Sequence, residues 1–518
     1  MGKWSNEAGD FFMYMEDFLD KQERISNQIL ELLQTHGGYL SKKKLTELLE
    51  ISGNSLRIYL KNIEVRLEKF VESGHVFFEV EANNVKFSVD GTTNLSNISN
   101  DFFRDSYKYK IIMYLYMNET LNLIDLENEL HISGSSITRR IKELNEILVE
   151  FDLKIKNRRL VGTKIQLNYF YYLFFIRVMP FTDRAELLSR SKTINAYTEV
   201  LNKQYDLGWG DDEKLSVFLW LKILIRLNSY KEQREEALTP VSRELIKNNP
   251  AYSKVKISFF RFLKKYALSF VEEDAIGLYY FLIGFDLIKN DSELYEEIRD
   301  VDIDKETPIN VAINFFWRDI EKYTYFKNDT KINYTLFNLY SKLAIFKGES
   351  FIYNRTITEF NRKSLEREDF GLIIQKLLAA YQSVAQFNGL NAPESLYYLQ
   401  IQYLYILNIL NFEFDDVLKI GLFINRDPIM EKLTMIIMER LLHGILNVQV
   451  EACQEGKDYD LIVTNRMGVS QQQFESPLYI MSEIGVSSDE AVADVINEVL
   501  EIDKVKKINM QSLERDSR

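Results

Sequence analysis

Two short runs of hydrogen-bond donors, repeated 81 residues apart, hold the side chains of this sequence best equipped for chemistry. The later run brings together Ser135, Ser136, Thr138, Arg139, Arg140 and Lys142. The earlier run has Asn54, Ser55, Arg57 and Lys61 at matching places, with Ile58 where the later run has Arg139. An arginine presents a planar fork that fits a guanine edge or a phosphate, a lysine supplies a mobile point charge, and hydroxyls and amides add single hydrogen bonds. Donors of this kind recognise a patterned polyanion and do not by themselves make or break bonds. Isoleucine offers at most apolar contact with a thymine methyl, so the second run is expected to be the main reader. Arg158 and Arg159 fall in a polar turn downstream and suit phosphate or minor-groove contact.

Catalytic constellations are missing. The histidines are His36, His75, His131 and His443, and Cys453 is the one cysteine, so the sequence offers neither an intramolecular disulfide nor a structural zinc pattern. No cofactor, no metal site and no enzymatic activity are expected, and the low cysteine content fits a reducing, cytoplasmic setting.

The donors need elements to hold them. Thr46 to Phe70 and Glu127 to Phe151 align without a gap, sharing Leu49 with Leu130, Ile51-Ser52-Gly53 with Ile132-Ser133-Gly134, Lys61 with Lys142 and Phe70 with Phe151. In each copy a short helical pattern meets Ile-Ser-Gly and then a longer amphipathic pattern: Leu56, Leu60, Ile63 and Leu67 in one, Ile137, Ile141, Leu144 and Leu148 in the other. The glycine is expected to supply the left-handed turn, and the small polar residues around it to cap the second helix. Alternating segments follow, Val76 to Val89 and Leu153 to Leu167, each expected to form a β-hairpin. A helix-turn-helix followed by a hairpin is a winged helix, whose second helix enters the major groove of DNA. Two are expected in tandem. With the apolar residues of the second copy inward, Ser135, Thr138, Arg139 and Lys142 form the opposite face, flanked by Ser136 and Arg140.

Charge and composition bound the rest. Seven prolines and 21 glycines in 518 residues favour long helices, and the formal charge of −13 argues against a general nucleic-acid coat or a binder of anionic membranes. From His131 to Gln166, however, eight basic side chains face four acidic ones, a local excess on an acidic body. The most apolar stretches, Tyr169 to Phe181 and Ile276 to Ile288, are too short and too polar to span a bilayer, and Met1 to Asp20 lacks the look of a signal peptide. Helical patterns fill Tyr169 to Glu413, clearest at Leu215 to Leu227, Val255 to Phe270, Asp274 to Ile288, Val311 to Tyr323 and Leu372 to Phe387, with an acidic break near Asn290 to Pro308. The C-terminal part reads as strands at Lys419 to Asn425, Val448 to Cys453, Tyr459 to Thr464 and Leu478 to Ser482, with helices at Pro428 to Leu442 and Ser488 to Ile502. That order indicates a small α/β domain with a mainly parallel sheet.

The paired Ile-Ser-Gly units, the passage RRLVGTKIQLNYFYYLF from Arg158 to Phe174, and the strands KIGLFINRD and YDLIVT together resemble the Mga and AtxA group of virulence transcription regulators of Gram-positive bacteria. The resemblance implies a mainly α, multidomain fold: residues 1–90 an N-terminal helix and first winged helix-turn-helix, 91–168 a second, 169–290 and 291–414 two all-α phosphotransferase-regulation (PRD-like) bundles, and 415–518 an EIIB-like α/β domain. It further implies binding of double-stranded promoter DNA, a homodimer formed through the bundles and the EIIB-like domain, and a contact with RNA polymerase, with no membrane partner. Two departures stand out. Regulation domains of this type are phosphorylated on histidine, yet no histidine lies between residues 132 and 442, and the loop after the first α/β strand has Asn425, Arg426 and Asp427 where a IIB enzyme needs a cysteine. Competing readings are a protein-interaction scaffold, in which the charges merely solvate helix faces, and a phosphocarrier suggested by the α/β tail.

Overall fold

The computed structural model describes residues 15–72, 74–89, 95–178, 191–230, 246, 249–264, 271–289, 292–302, 307–320, 330–348, 368–388, 396–411, 418–423, 432, 435–436, 438, 448–454, 457–464, 474 and 476–480. Its first part is built as α1 (Lys21–Thr35), β1 (Tyr39–Ser41), α2 (Lys42–Leu48), α3 (Gly53–Glu72), β2 (Val76–Val80) and β3 (Asn84–Val89). The strands form an antiparallel sheet in the order β1-β3-β2, with Leu40 opposite Val85 and Phe78 opposite Phe87. Leu56, Leu60, Ile63 and Leu67 of α3 are buried, as their spacing predicted, where α3 packs on α1, α2 and β2, whose Ile29, Leu30, Leu33, Leu45 and Val76 are buried too. The three-residue β1 is too short for periodicity to reveal.

The second part repeats the plan: α4 (Leu95–Asp105), α5 (Tyr107–Asn118), α6 (Leu123–Leu130), α7 (Gly134–Leu148), a 3-10 turn (Val149–Phe151), β4 (Lys154–Lys156) and β5 (Arg159–Val161). Leu121 takes the place of Leu40, 81 residues on; it is buried, and its N–H donates to the Arg158 carbonyl at 2.8 Å in place of a formal strand pairing. The second hairpin is shorter than the expected Leu153 to Leu167. Thr163 stops it, its hydroxyl accepting the Gln166 N–H at 3.3 Å, and Lys164 to Leu167 instead open α8 (Lys164–Val178). Tyr169 to Phe174 are all buried, because α8 is covered on every side. Phe170 meets Phe151 at 5.1 Å, Tyr172 meets Phe281 at 4.7 Å, and Tyr169 stacks on Phe346 at 4.6 Å.

The helical body continues with α9 (Lys192–Gln204), α10 (Asp211–Asn228), α11 (Pro250–Leu263), α12 (Glu272–Gly284), α13 (Glu293–Asp302), α14 (Pro308–Ile320), α15 (Thr330–Ile345), α16 (Glu368–Asn388) and α17 (Leu396–Asn411). Two expectations are corrected here. The helix expected through Ile288 ends at Gly284, where Asp286 turns left-handed (φ 54°) and Leu287 and Ile288 are buried outside the helix. The acidic break also contains a helix: α13 lies within it, with Leu294, Tyr295 and Ile298 buried and Glu293 exposed. The body grips the second winged helix directly. Gln166 donates to the Lys347 carbonyl at 2.6 Å and accepts the Lys347 N–H at 3.2 Å. Gly348 has φ +94°, and a side chain there would collide with the Phe151 ring, so glycine is required twice over.

The chain divides into two compact units, Met1–Leu404 and Tyr405–Arg518, with the division inside α17. The second unit holds a parallel sheet of β6 (Leu418–Phe423), β7 (Val448–Ala452), β8 (Leu461–Thr464) and β9 (Leu478–Ile480) in the order β7-β6-β8-β9. Leu418, Ile420, Leu422, Val448, Val450, Leu461 and Val463 form its core. The expected helices Pro428 to Leu442 and Ser488 to Ile502 fall largely or wholly outside the described residues, as do Asn425 to Asp427 and His443. Cys453 lies one residue past β7, its N–H bonded to the Leu422 carbonyl at 2.9 Å. Burial pushes its thiol up, away from the reactive thiolate.

Candidate nucleic-acid interface

The two candidate reading helices, α3 and α7, start in the same way. Glu50 and His131, equivalent in the repeat, both adopt the left-handed conformation (φ 52° and 54°), and the Ser52 and Ser133 hydroxyls accept the N–H groups of Ser55 and Ser136 at 3.2 and 3.4 Å. The serines cap as expected. The glycines do not make the turn: Gly53 and Gly134 are the first residues of α3 and α7 with ordinary helical φ.

On α7, Ser135, Thr138, Arg139 and Lys142 are exposed, and Ser136 is half-buried. The Arg139 side chain is 67% exposed, with its Nε 3.8 Å from Glu143, close enough to bias its direction and too open to hold it. On α3, Asn54, Arg57 and Lys61 are exposed and Ser55 is half-buried, while Ile58 presents an apolar side chain 58% exposed. Each helix thus places most of its expected donors on one open face.

Arg140 is the correction. It is 9% exposed and points into the protein, Nε donating to Asp20 Oδ1 at 3.0 Å and a guanidinium N–H donating to the Ser136 carbonyl at 3.3 Å. Its guanidinium lies 4.3 Å from the centre of the Tyr107 ring. The buried positions of α7 are Ile137, Arg140, Leu144, Ile147 and Leu148, and Ile141 is only half-buried. A strip of apolar residues marks an inward face only where the covering surface is apolar. Here it includes a carboxylate 120 residues away in sequence, which draws an arginine inward. Removing one partner of such a buried pair costs about 3–5 kcal/mol.

The second wing turns in two residues, Asn157 and Arg158, both left-handed (φ 51° and 64°), the pattern of a tight type I′ hairpin. Glycine is the usual occupant of the second place, and an arginine is held there instead, exposed at the tip with Lys154 and Lys156 exposed behind it. Arg159 differs from expectation: it is half-buried, with Nη1 3.6 Å from Glu119. The first wing has a different character. Lys86 is paired with Glu79 at 3.3 Å and with Glu81, so its one lysine is neutralised locally.

The first module has basic residues that the repeat alone does not single out. Lys42 and Lys43, at the start of α2, line a cleft with Arg57, Lys61, Glu64 and Val80, between α2, α3 and the wing. The run of three lysines at positions 42–44 was the available signal, and it has no counterpart at the start of α6, where Leu123 and Ile124 stand. Among the described residues, no group of side chains could hold a metal ion and no helix is long and apolar enough to cross a membrane.

Comparison with known proteins points the same way. Residues 91–175 match the Mga helix-turn-helix domain, a span from just before α4 into α8. Over 220 residues the chain is 21% identical to a protein of Streptococcus pneumoniae described as a trans-acting regulator, covering 42% of this chain and 43% of that protein. Over 264 residues it is 20% identical to the capsule synthesis positive regulator AcpB of Bacillus anthracis, covering 50% and 53%. The matched region thus spans about half the length of these curated relatives.

Proposed function

We propose that this member of the Mga/AtxA-like regulator family controls transcription by binding double-stranded promoter DNA through its two winged helices, with the second as the main reader. The observation that carries the reading is the open face of α7, where Ser135, Thr138, Arg139 and Lys142 stand free of the core beside a wing that ends in Arg158. A helix of this kind lies in the major groove while the wing follows the backbone, so Arg139 takes a base edge or phosphate, and Lys142 and Arg158 take phosphates. The first module adds Asn54, Arg57, Lys61 and the lysines of α2.

In this reading the helical body and the parallel-sheet unit are PRD-like and EIIB-like parts that dimerise the chain and regulate it, and a contact with RNA polymerase completes its work at the promoter. The absence of histidine from residues 132–442 removes phosphohistidine control of the bundles. Dimerisation places two pairs of readers on one DNA segment and raises affinity through effective concentration. A titration of binding to duplex DNA against salt tests the proposal. Five or six phosphate contacts give a log–log slope of about −5. No binding at low salt would instead favour a protein-interaction scaffold.

A further inference from the structure

Each reading helix sends one arginine away from its open face, and both reach the same joint. From α7, Arg140 binds Asp20. From α3, Arg66 binds Glu23 at 3.1 Å and Asp105 at 2.7 Å, its guanidinium 5.0 Å from the Phe102 ring centre. Glu23 and Asp20 lie at the start of α1, and Asp105 ends α4, two residues before Tyr107 opens α5.

Asp20 is used in an unusual way. It stands at the N-cap position of α1, yet makes no side-chain cap for that helix. Its Oδ2 accepts the Tyr107 N–H at 2.9 Å, near the N-terminus of α5, while Oδ1 receives Arg140. One carboxylate of the first module therefore holds both a supporting helix and the reading helix of the second. Lys108 strengthens the joint, its ammonium donating to the Asp17 carbonyl at 2.8 Å and pairing with Glu143 of α7 at 3.1 Å. Ser106 donates to the Phe18 carbonyl at 3.0 Å, and Phe18 is fully buried against Phe174 of α8 at 5.7 Å.

Tandem modules joined only by a linker would accept a range of half-site spacings, whereas modules locked through a buried charge pair such as Arg140–Asp20 accept one. We infer that Asp20 is a positioning residue that locks the two winged helices into one rigid reading body, so that the protein recognises its two DNA segments at a single fixed spacing. This rests on the DNA-binding reading above, but the lock itself can be measured without DNA.

The experiment uses the full-length chain with Cys453→Ser, spin labels on cysteines introduced at the exposed positions Glu68 of α3 and Glu146 of α7, and electron–electron distance measurement. The wild-type joint gives one narrow distance distribution; Asp20→Ala broadens it roughly twofold, because the pair now opens locally. Arg66→Met, which keeps the stem over Phe102 and removes the fork, is the second variant should Asp20→Ala fail to fold. A broad distribution in the unmutated joint, or an unchanged one in a folded variant, overturns the lock. In the DNA arm, the probe is a duplex selected by the wild-type protein from randomised DNA, with base pairs inserted between its two protected segments. Inserting about five base pairs, half a helical turn, lowers wild-type affinity at least ~10-fold, and lowers that of the folded variant by a smaller factor. Equal sensitivity of the two proteins overturns the role of Asp20 in spacing. If no duplex binds, the DNA-binding reading fails, while the distance measurement still decides whether the joint is rigid.

Discussion

The two winged helices share a frame and differ in what they show. Glu50 and His131 turn the chain identically, Ser52 and Ser133 cap identically, and Leu40 and Leu121 are buried at matching places beside each hairpin. On the open side, Ile58 faces solvent where Arg139 does, and the first wing closes on a Lys86–Glu79–Glu81 cluster where the second ends in Arg158. Positive charge in the first module comes instead from α2. The apolar positions of the core stay alike, Leu56, Ile63 and Leu67 in one copy matching Ile137, Leu144 and Leu148 in the other. Outward positions are free to diverge, and the proposed division between a main reader and a supporting module rests on them.

The strongest break in this contrast comes from charge reversal on the second module. Arg139→Glu alone lowers DNA affinity by about 100-fold in fluorescence anisotropy at fixed salt, through a lost bidentate contact and a new repulsion. Arg57→Glu in the first module lowers it less; equal losses would erase the assignment of a main reader. Arg140 is unsuited to this test, since its reversal would place a carboxylate against Asp20.

The next effect separates the modules by stability. Glu31 on α1 is half-buried and accepts a hydrogen bond from Asn27 at 2.8 Å; Asn27 also takes the Ser99 hydroxyl of α4. Burial, and then the charge of Glu16, push its carboxyl from 4.5 up to about 7. The folded state therefore holds this proton more tightly than the unfolded chain, so its contribution is full below pH 4.5 and is lost as pH rises through about 7. Glu31→Gln should leave stability at pH 5 little changed and raise it at pH 8 by about 1–3 kcal/mol. A thermal melt that shifts equally at both pH values would refute the assignment.

Smaller effects sharpen the comparison at the wing and at the reading helix. Arg158→Gly relieves a left-handed arginine and should stabilise the fold by about 0.5–1 kcal/mol in denaturant titration. The same change removes a phosphate contact and should reduce the salt slope of DNA binding by about 0.9. Loss of both stability and slope would mean that the turn needs the arginine for another reason. Ile58→Arg gives the first module the donor that the second already has, and should tighten binding by up to about 1 kcal/mol, the least of these changes. A loss of affinity would show that Ile58 makes an apolar contact of its own.

Much of the candidate reading site was legible because it obeys local rules. The 81-residue repeat, the serine caps, the apolar strip of α3 and the exposure of Ser135, Thr138, Arg139, Lys142, Asn54, Arg57 and Lys61 follow from helical geometry alone. The parallel strands of the second unit were legible for the same reason, as short buried apolar runs. What failed, failed where a distant partner overrides a local rule. Arg140 turns inward because Asp20 and Tyr107 wait for it, and Arg159 leaves the wing tip for Glu119. Thr163 ends the second hairpin early because the aromatic run behind it has a body to bury against.

The sequence by itself determined the elements and the open faces of this protein, since these depend on the periodicity of neighbouring residues and on which positions must be buried. Only the tertiary structure decided which arginines stay open to solvent and which bind inward, and how the two modules are joined. Those outcomes depend on carboxylates brought close from far along the chain, above all Asp20 for Arg140 and Asp105 for Arg66. A charge chooses between solvent and a buried partner according to what lies opposite it in space, which no local pattern of residues records.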